Sequence, residues 1–258
     1  MTNGVQEQAE CWYFKFGLIC TGETEERHLP SLFRSLMATR ICTFEVIRRT
    51  GQRGPVTSQR RLSMIGTARR IPDKDMEEIG FPARGYVMQS HCHFVIFVDD
   101  IEHDRRSIVQ DVYERYRSIL DAALPSERQG RASVHFLVNM IEAYYFGDSE
   151  LVNVVLTLNP PLPDFVGDVE EIRNPKARLR QLFTPFDEVC HGGQILAGLD
   201  VERVLSNPAT CAWLRTLFAW CVKALERHPQ WQAVYPRDRF HLVDGVMSFV
   251  TGAQIGNL

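Results

Sequence analysis

The chain has 258 residues, 45% of them hydrophobic and 24% charged, with a formal net charge of −3. Such proportions suit a globular α/β protein and exclude collagen, coiled coil and an extensively disordered chain. No run approaches the roughly 18 apolar residues of a membrane span, and Met1-Thr2-Asn3-Gly4 lacks the basic flank and apolar core of a signal peptide, so a cytoplasmic protein with no membrane contact is expected. Seven cysteines (11, 20, 42, 92, 190, 211, 221) form no CxxC pair. They read as reduced thiols acting as small hydrophobes, without structural zinc.

In chain order, Trp12–Thr21 has the aromatic and aliphatic content of a strand and runs into Gly22, Glu23, Glu25 and Glu26. Pro30 opens a helix with Leu32, Phe33, Leu36 and Met37 at helical spacing. Ile41–Arg49 reads as a second strand. Between Arg40 and Arg70 lie eight arginines (40, 48, 49, 53, 60, 61, 69, 70), no lysine and one acid, Glu45. Gly, Pro, Ser and Thr interrupt this stretch, with Arg61–Gly66 as a short strand. Clustered arginines beside hydroxyl and amide groups suit phosphate contact, which nominates Arg48, Arg49, Arg53, Arg60 and Arg61 for a nucleic-acid backbone. A solvated face balanced by acids elsewhere is the plainer use of the same charges.

Asp73–Ile79 reads as a short acidic helix. His91–Asp99 is a buried strand ending in acids, and Asp104–Leu124 is an amphipathic helix with Ile108, Val112, Tyr116, Ile119 and Ala123 on one face. Ser133–Ile141 is a further strand, ending at Glu142. Alternation of strand and helix predicts a mainly parallel sheet flanked by helices over residues 1–160, with the Arg-rich insertion at about 48–70. Ser149–Leu158, Asn174–Phe183, Val201–Leu205 and Cys211–Arg227 are helical by period, so residues 161–258 form a helical extension packed on the sheet.

Open parallel sheets bind ligands beyond the carboxyl ends of their strands. Three strands here end in acids: Glu23, Glu25 and Glu26, then Asp99, Asp100, Glu102 and Asp104, then Glu142. Converging carboxylates repel unless a cation neutralises them, and hard oxygen ligands suit Mg²⁺ or Mn²⁺. Taken singly, each acid also serves as a helix cap.

Thr21-Gly22-Glu23-Thr24-Glu25-Glu26 resembles the V-E-G-x-T-E motif of TOPRIM domains, the fold of primases, topoisomerases and overcoming-lysogenisation-defect nucleases. Val98-Asp99-Asp100-Ile101-Glu102 resembles their D-x-D motif. Glu142-Ala143-Tyr144-Tyr145-Phe146-Gly147-Asp148 and Asn174-Pro175-Lys176 resemble E-A-W-x-L-x-D and N-P-K of a bacterial TOPRIM-like family. The four matches span roughly residues 14 to 183. Thr21 stands at the usual metal-ligand glutamate, and Ile101 at the second acid of D-x-D. The resemblance implies Mg²⁺ or Mn²⁺ held by Asp99 with Asp100 or Glu102, and by Glu25. It makes Glu142 a further ligand or the group orienting water, and Lys176 the stabiliser of charge on the scissile phosphate. The implied activity is hydrolysis of DNA or tRNA, beside an ATPase partner in anti-phage defence, with a homo-oligomer as one possible form.

The alternative is a catalytically impaired subunit that binds nucleic acid or docks on the ATPase, with Trp213, Trp220 and Trp231 as the docking surface. Tyr144 and Tyr145 are placed to stack on bases, one of them with a role in the core instead. His91 and His93 share a strand face but have no evident third ligand, and Cys190-His191 is no nucleophile pair.

Overall fold

The computed structural model describes residues 10–54, 73–235 and 241–258. Within these, strands β1 (Phe14–Cys20), β2 (Cys42–Arg49), β3 (His93–Ile101) and β4 (Ala132–Val138) form one sheet in the order β2-β1-β3-β4, every neighbouring pair parallel. The helices used below are α1 (Glu23–His28), α2 (Phe81–Val87), α3 (Val109–Ala123), α4 (Glu142–Tyr145), α5 (Ser149–Leu156), α6 (Pro175–Leu182), α7 (Cys190–Gly198) and α8 (Ala212–Leu225). This is the expected α/β architecture.

Because both faces are covered, β1, β3 and β4 are buried over near-continuous runs rather than alternating, whereas the edge strand β2 is partly exposed. Phe16, Leu18, Phe94, Ile96 and Val98 face a core completed by Leu214, Leu217, Phe218 and Trp220 of α8. On the other face Ile19, Val95, Phe97 and Phe136 pack with Ala83 and Tyr86 of α2 and with Val112, Tyr116 and Ile119 of α3. The second half of the chain therefore shares the first half's core.

Glu170 fastens α8 to the rest. Its buried Oε1 accepts hydrogen bonds from Leu214 N–H (3.0 Å), Trp213 N–H (3.2 Å) and the Tyr144 hydroxyl (2.9 Å). A carboxylate at a helix N-terminus is stabilised by the free N–H groups there. Burial still pushes Glu170 up to about 7, against those N–H donors.

Several expectations are corrected. The acidic helix does not stop at Ile79: it continues through a π-helical turn (Met76–Gly80) into α2, with Pro82 tolerated in the first turn. The last strand ends at Val138, because Asn139 (φ 55°) and Met140 (φ 76°) turn the chain through the left-handed region. Helix α7 was unforeseen, since Gly192-Gly193 disguises it. Cys11 and Cys92 are joined in a disulfide, Cα–Cα 5.5 Å, rather than both being thiols. Trp220 is fully buried, Trp213 packs edge-on against Phe136 and Trp231 stacks on Tyr235, so these rings serve packing rather than docking. Arg61–Gly66 lies outside the described residues.

At the free edge of β4, the Gln254 amide takes the place of another strand. Its Oε1 accepts from Val134 N–H (2.8 Å), and its Nε2 donates to Val134 C=O (2.7 Å) and Thr251 C=O (3.1 Å). Gln254→Ala leaves a buried donor and acceptor unpaired and is expected to cost about 2 kcal/mol, read from the denaturant midpoint at unchanged slope.

A carboxylate–lysine cluster at the sheet rim

The strand order reverses between β1 and β3, and the helices that follow them pack on opposite faces of the sheet. A crevice therefore opens beyond the carboxyl ends of these two strands, where open α/β sheets place their ligands. Glu25 enters it from α1, Asp100 from β3, Glu142 from the first residue of α4, and Lys176 from the first turn of α6.

Successive strand residues face opposite sides, so Asp99 and Asp100 cannot both enter. Asp99 follows Phe97 toward α3. Its Oδ1 accepts from Thr21 Oγ (2.8 Å) and from Asp100 N–H (2.9 Å), while its Oδ2 accepts from Tyr116 OH (2.8 Å) and lies 3.6 Å from the Arg105 guanidinium. Both oxygens are engaged within the fold, so Asp99 faces α3 rather than the cluster formed by Glu25, Asp100 and Glu142. Thr21, standing where the resembled motif has an acid, supplies a hydroxyl that helps hold Asp99. Glu102 is exposed at the start of the following helical turn.

Asp100 is the acid that faces the cluster. Burial pushes its carboxyl well above the ordinary range, and the charges of Glu25, Glu142 and Asp99 push it further, against Lys176. Its Oδ1 is buried and has no hydrogen-bond partner among the described residues. Burial also raises Glu25, opposed by its own backbone N–H, by Lys176 and by the neighbouring Asp100 carboxyl, with the charge of Asp99 adding to the rise. Glu142, 2% exposed, is pushed up to about 7 by burial, with Lys176 opposing and Glu25 and Glu188 adding to the rise.

Lys176 Nζ lies 3.6 Å from Glu142 Oε1 and 2.8 Å from Glu188 Oε2. Burial alone would lower its pKa, but the two carboxylates outweigh it and hold the ammonium above its ordinary value. Arg180 shares Glu188 at 2.7 Å. Tyr145 is fully buried and its hydroxyl has no partner; burial, then the charges of Glu142, Glu25 and Asp100, keep the phenol protonated. Tyr144 is spent on Glu170 and on Val138 N–H (3.2 Å), so neither tyrosine stacks on bases.

The glycines around the cluster are there for close approach. A Cβ on Gly22 would stand 1.8 Å from Glu25 Oε2, and one on Gly193 would stand 2.5 Å from His28 Nε2. Gly192 lies under the Tyr145 hydroxyl, where a Cβ would sit 3.4 Å away. Within α7 it is Gly193, against the His28 ring, whose place a side chain could not take without displacing its neighbour.

Arg48 and Arg49 are exposed at the carboxyl end of β2, on the same rim, with Arg49 paired to Glu26 at 3.0 Å. Arg53 is corrected: its guanidinium turns inward to Asp75 (2.7 Å) and to Glu78, and Arg115 joins Asp75 at 2.7 Å. Arg60 and Arg61 lie outside the described residues. Reading the sequence did not find Glu188 or the inward hydroxyl of Tyr145. Only the adjacency of Tyr145 to Tyr144 in the E-A-Y-Y stretch carried any signal of the latter.

By donor type the cluster suits a hard divalent cation, although among the described residues no three carboxylates bring ligand atoms within 4.8 Å of one another. Glu25, Asp100 and Glu142 offer only oxygens, one of them unpartnered, and a single ammonium opposes them together with Glu188. No protein-family model, curated protein or solved structure matches this chain.

Proposed function

We propose that the protein is a metal-dependent phosphodiesterase of TOPRIM type that hydrolyses DNA or RNA. Its Mg²⁺ or Mn²⁺ would be held by Glu25, Asp100 and Glu142. The observation that carries this reading is the excess of buried carboxylate over ammonium at the strand-order reversal, where Asp100 Oδ1 has no partner among the described residues. When bound, the metal would supply an activated water and charge stabilisation at a phosphate oxygen. Lys176 is placed to hold a second negative charge, such as a phosphate oxygen, at the cost of loosening its pair with Glu188. Arg48 and Arg49 suit backbone phosphates entering along the rim. An ATPase partner, a role in anti-phage defence, a cytoplasmic location and self-association belong to the same proposal, through the motif resemblance alone.

A second reading, a nucleic-acid-binding or docking subunit without chemistry, is favoured by one observation. Among the described residues no three carboxylates bring ligand atoms within 4.8 Å of one another.

The deciding experiment incubates plasmid, single-stranded DNA and total tRNA with the protein and Mn²⁺, with and without the candidate ATPase. Cleavage that is lost on chelation and in Glu142→Ala supports the enzyme. Nucleic-acid binding with no cleavage under any of these conditions supports the second reading.

Gly22→Ala provides an independent check. The backbone at Gly22 (φ −103°, ψ 162°) is one alanine adopts, so the fold should persist while Glu25 is displaced. Mn²⁺ affinity by calorimetric titration is expected to fall about tenfold or more, as when a group that orients a ligand is lost.

A further inference from the structure

At the opposite end of β3 lies a second cluster with different chemistry. Cys11, in the segment leading into β1, and Cys92, immediately before β3, are brought together because β1 and β3 pair in register from Lys15 and His93 onward. One imidazole nitrogen of His91 and the two sulfurs lie within 4.8 Å of one another, the only such group of three among the described residues. Both sulfurs are buried, at 1% and 8% exposure for their residues, and His91 is exposed, so the imidazole forms the open side of the cluster. His91 Nε2 lies 3.1 Å from the Glu10 carbonyl oxygen.

A disulfide uses only the two sulfurs, with the imidazole beside them turned to the Glu10 carbonyl. A tetrahedral zinc ion uses all three. With Zn–S of about 2.3 Å and Zn–N of about 2.0 Å, tetrahedral ligand atoms stand about 3.5 to 3.8 Å apart, so the two sulfurs, bonded to one another here, must part on reduction before zinc can enter beside the imidazole. The Cα–Cα separation of 5.5 Å accommodates either state. The ligands are soft, unlike the oxygens at the other rim, and the nine residues of β3 put roughly 26 Å between the two clusters.

We propose that Cys11, His91 and Cys92 form a zinc site in the reduced protein, with a fourth position left to water, and that the Cys11–Cys92 disulfide is the metal-free, oxidised form of the same site. A dithiol reductant breaks the S–S bond, delivering two electrons and two protons and becoming a disulfide itself. Zinc then displaces the two thiol protons to solvent. The site clasps the segment before β1 to the start of β3.

The test uses the whole chain, reduced with a dithiol, loaded with Zn²⁺ and freed of excess metal. One zinc per chain is expected by elemental analysis, with Cys11→Ser and Cys92→Ser retaining none at this site. Cobalt replacing zinc should give a thiolate-to-metal charge-transfer band in the wild type that both serine variants lose. His91→Ala, an exposed change that leaves packing intact, should keep the band and bind about tenfold or more weakly, in line with losses at metal-supporting positions. Asp100→Asn should leave the site unaffected. A charge-transfer band that survives in Cys92→Ser overturns the proposal. So does a fully reduced wild type that takes up no zinc, which would make the pair a structural disulfide only.

Discussion

At pH 8, millimolar Mn²⁺ is expected to raise the melting temperature of the metal-free protein by roughly 6 to 12 °C, and at pH 5 to move it by no more than about a degree. The sign follows from the carboxyls at the rim. Glu142 titrates at about 7 in the folded chain against 4.5 for the ordinary group, and Glu25 and Asp100 are raised in the same direction. Between those values the folded protein holds more protons than the unfolded one. Its stability without metal is therefore greatest below about pH 4.5 as far as this group is concerned, and falls as pH rises through 7. For Glu142 alone the loss is about 3 kcal/mol. A cation bound by the ionised cluster returns that loss, whereas at pH 5 protons already occupy the site. Thermal melts across pH 5 to 8, with and without Mn²⁺, measure both arms. A melting temperature at pH 8 indifferent to Mn²⁺ would sink the metal assignment.

Asp100→Asn is expected to lower Mn²⁺-dependent cleavage by about two to four orders of magnitude and to remove most of the metal-induced rise in melting temperature. Asp99→Asn should do something different. It disturbs the hydrogen bonds from Thr21 and Tyr116 and the contact with Arg105, so it should lower stability while leaving the Mn²⁺ response in place. Glu102→Ala should alter neither. Lys176→Met should retain the metal-induced stabilisation and lose about two to three orders of magnitude in rate, as expected when a group stabilising developing charge is removed. If Asp99→Asn rather than Asp100→Asn abolishes the Mn²⁺ response, the motif alignment is right and the facing argument is wrong.

That pair shows what was and was not legible in the sequence. The strands could be read because β1, β3 and β4 are apolar runs of strand length, and the order of elements gave the parallel sheet. The same continuous hydrophobicity hid which of two adjacent acids faces the crevice: with both faces of β3 buried, Phe94 to Val98 carry no alternation to set the parity. Glu142 and Lys176 were found because they sit at helix starts within recognisable spacings. Glu188 was not, because it follows the irregular stretch after α6 and meets Lys176 only through the fold. Arg53 misled as part of a basic run, since its partners Asp75 and Glu78 lie on a separate acidic helix whose docking no local pattern announces. Cys11 and Cys92 are 81 residues apart, and only strand register brings them together.

The Gln254 amide has a consequence beyond the stability of one chain. A parallel sheet ending in an unguarded strand displays a row of N–H and C=O groups that any extended segment can join. Gln254 engages both groups of Val134, Tyr144 accepts from Val138 N–H, and Arg117 donates to Ala132 C=O, so side chains of the same molecule occupy that row. What keeps this edge from seeding aggregates is then a set of inward-folded side chains rather than a proline, so resistance to strand addition at high concentration rests in part on Gln254, a residue that surface polarity alone would never single out.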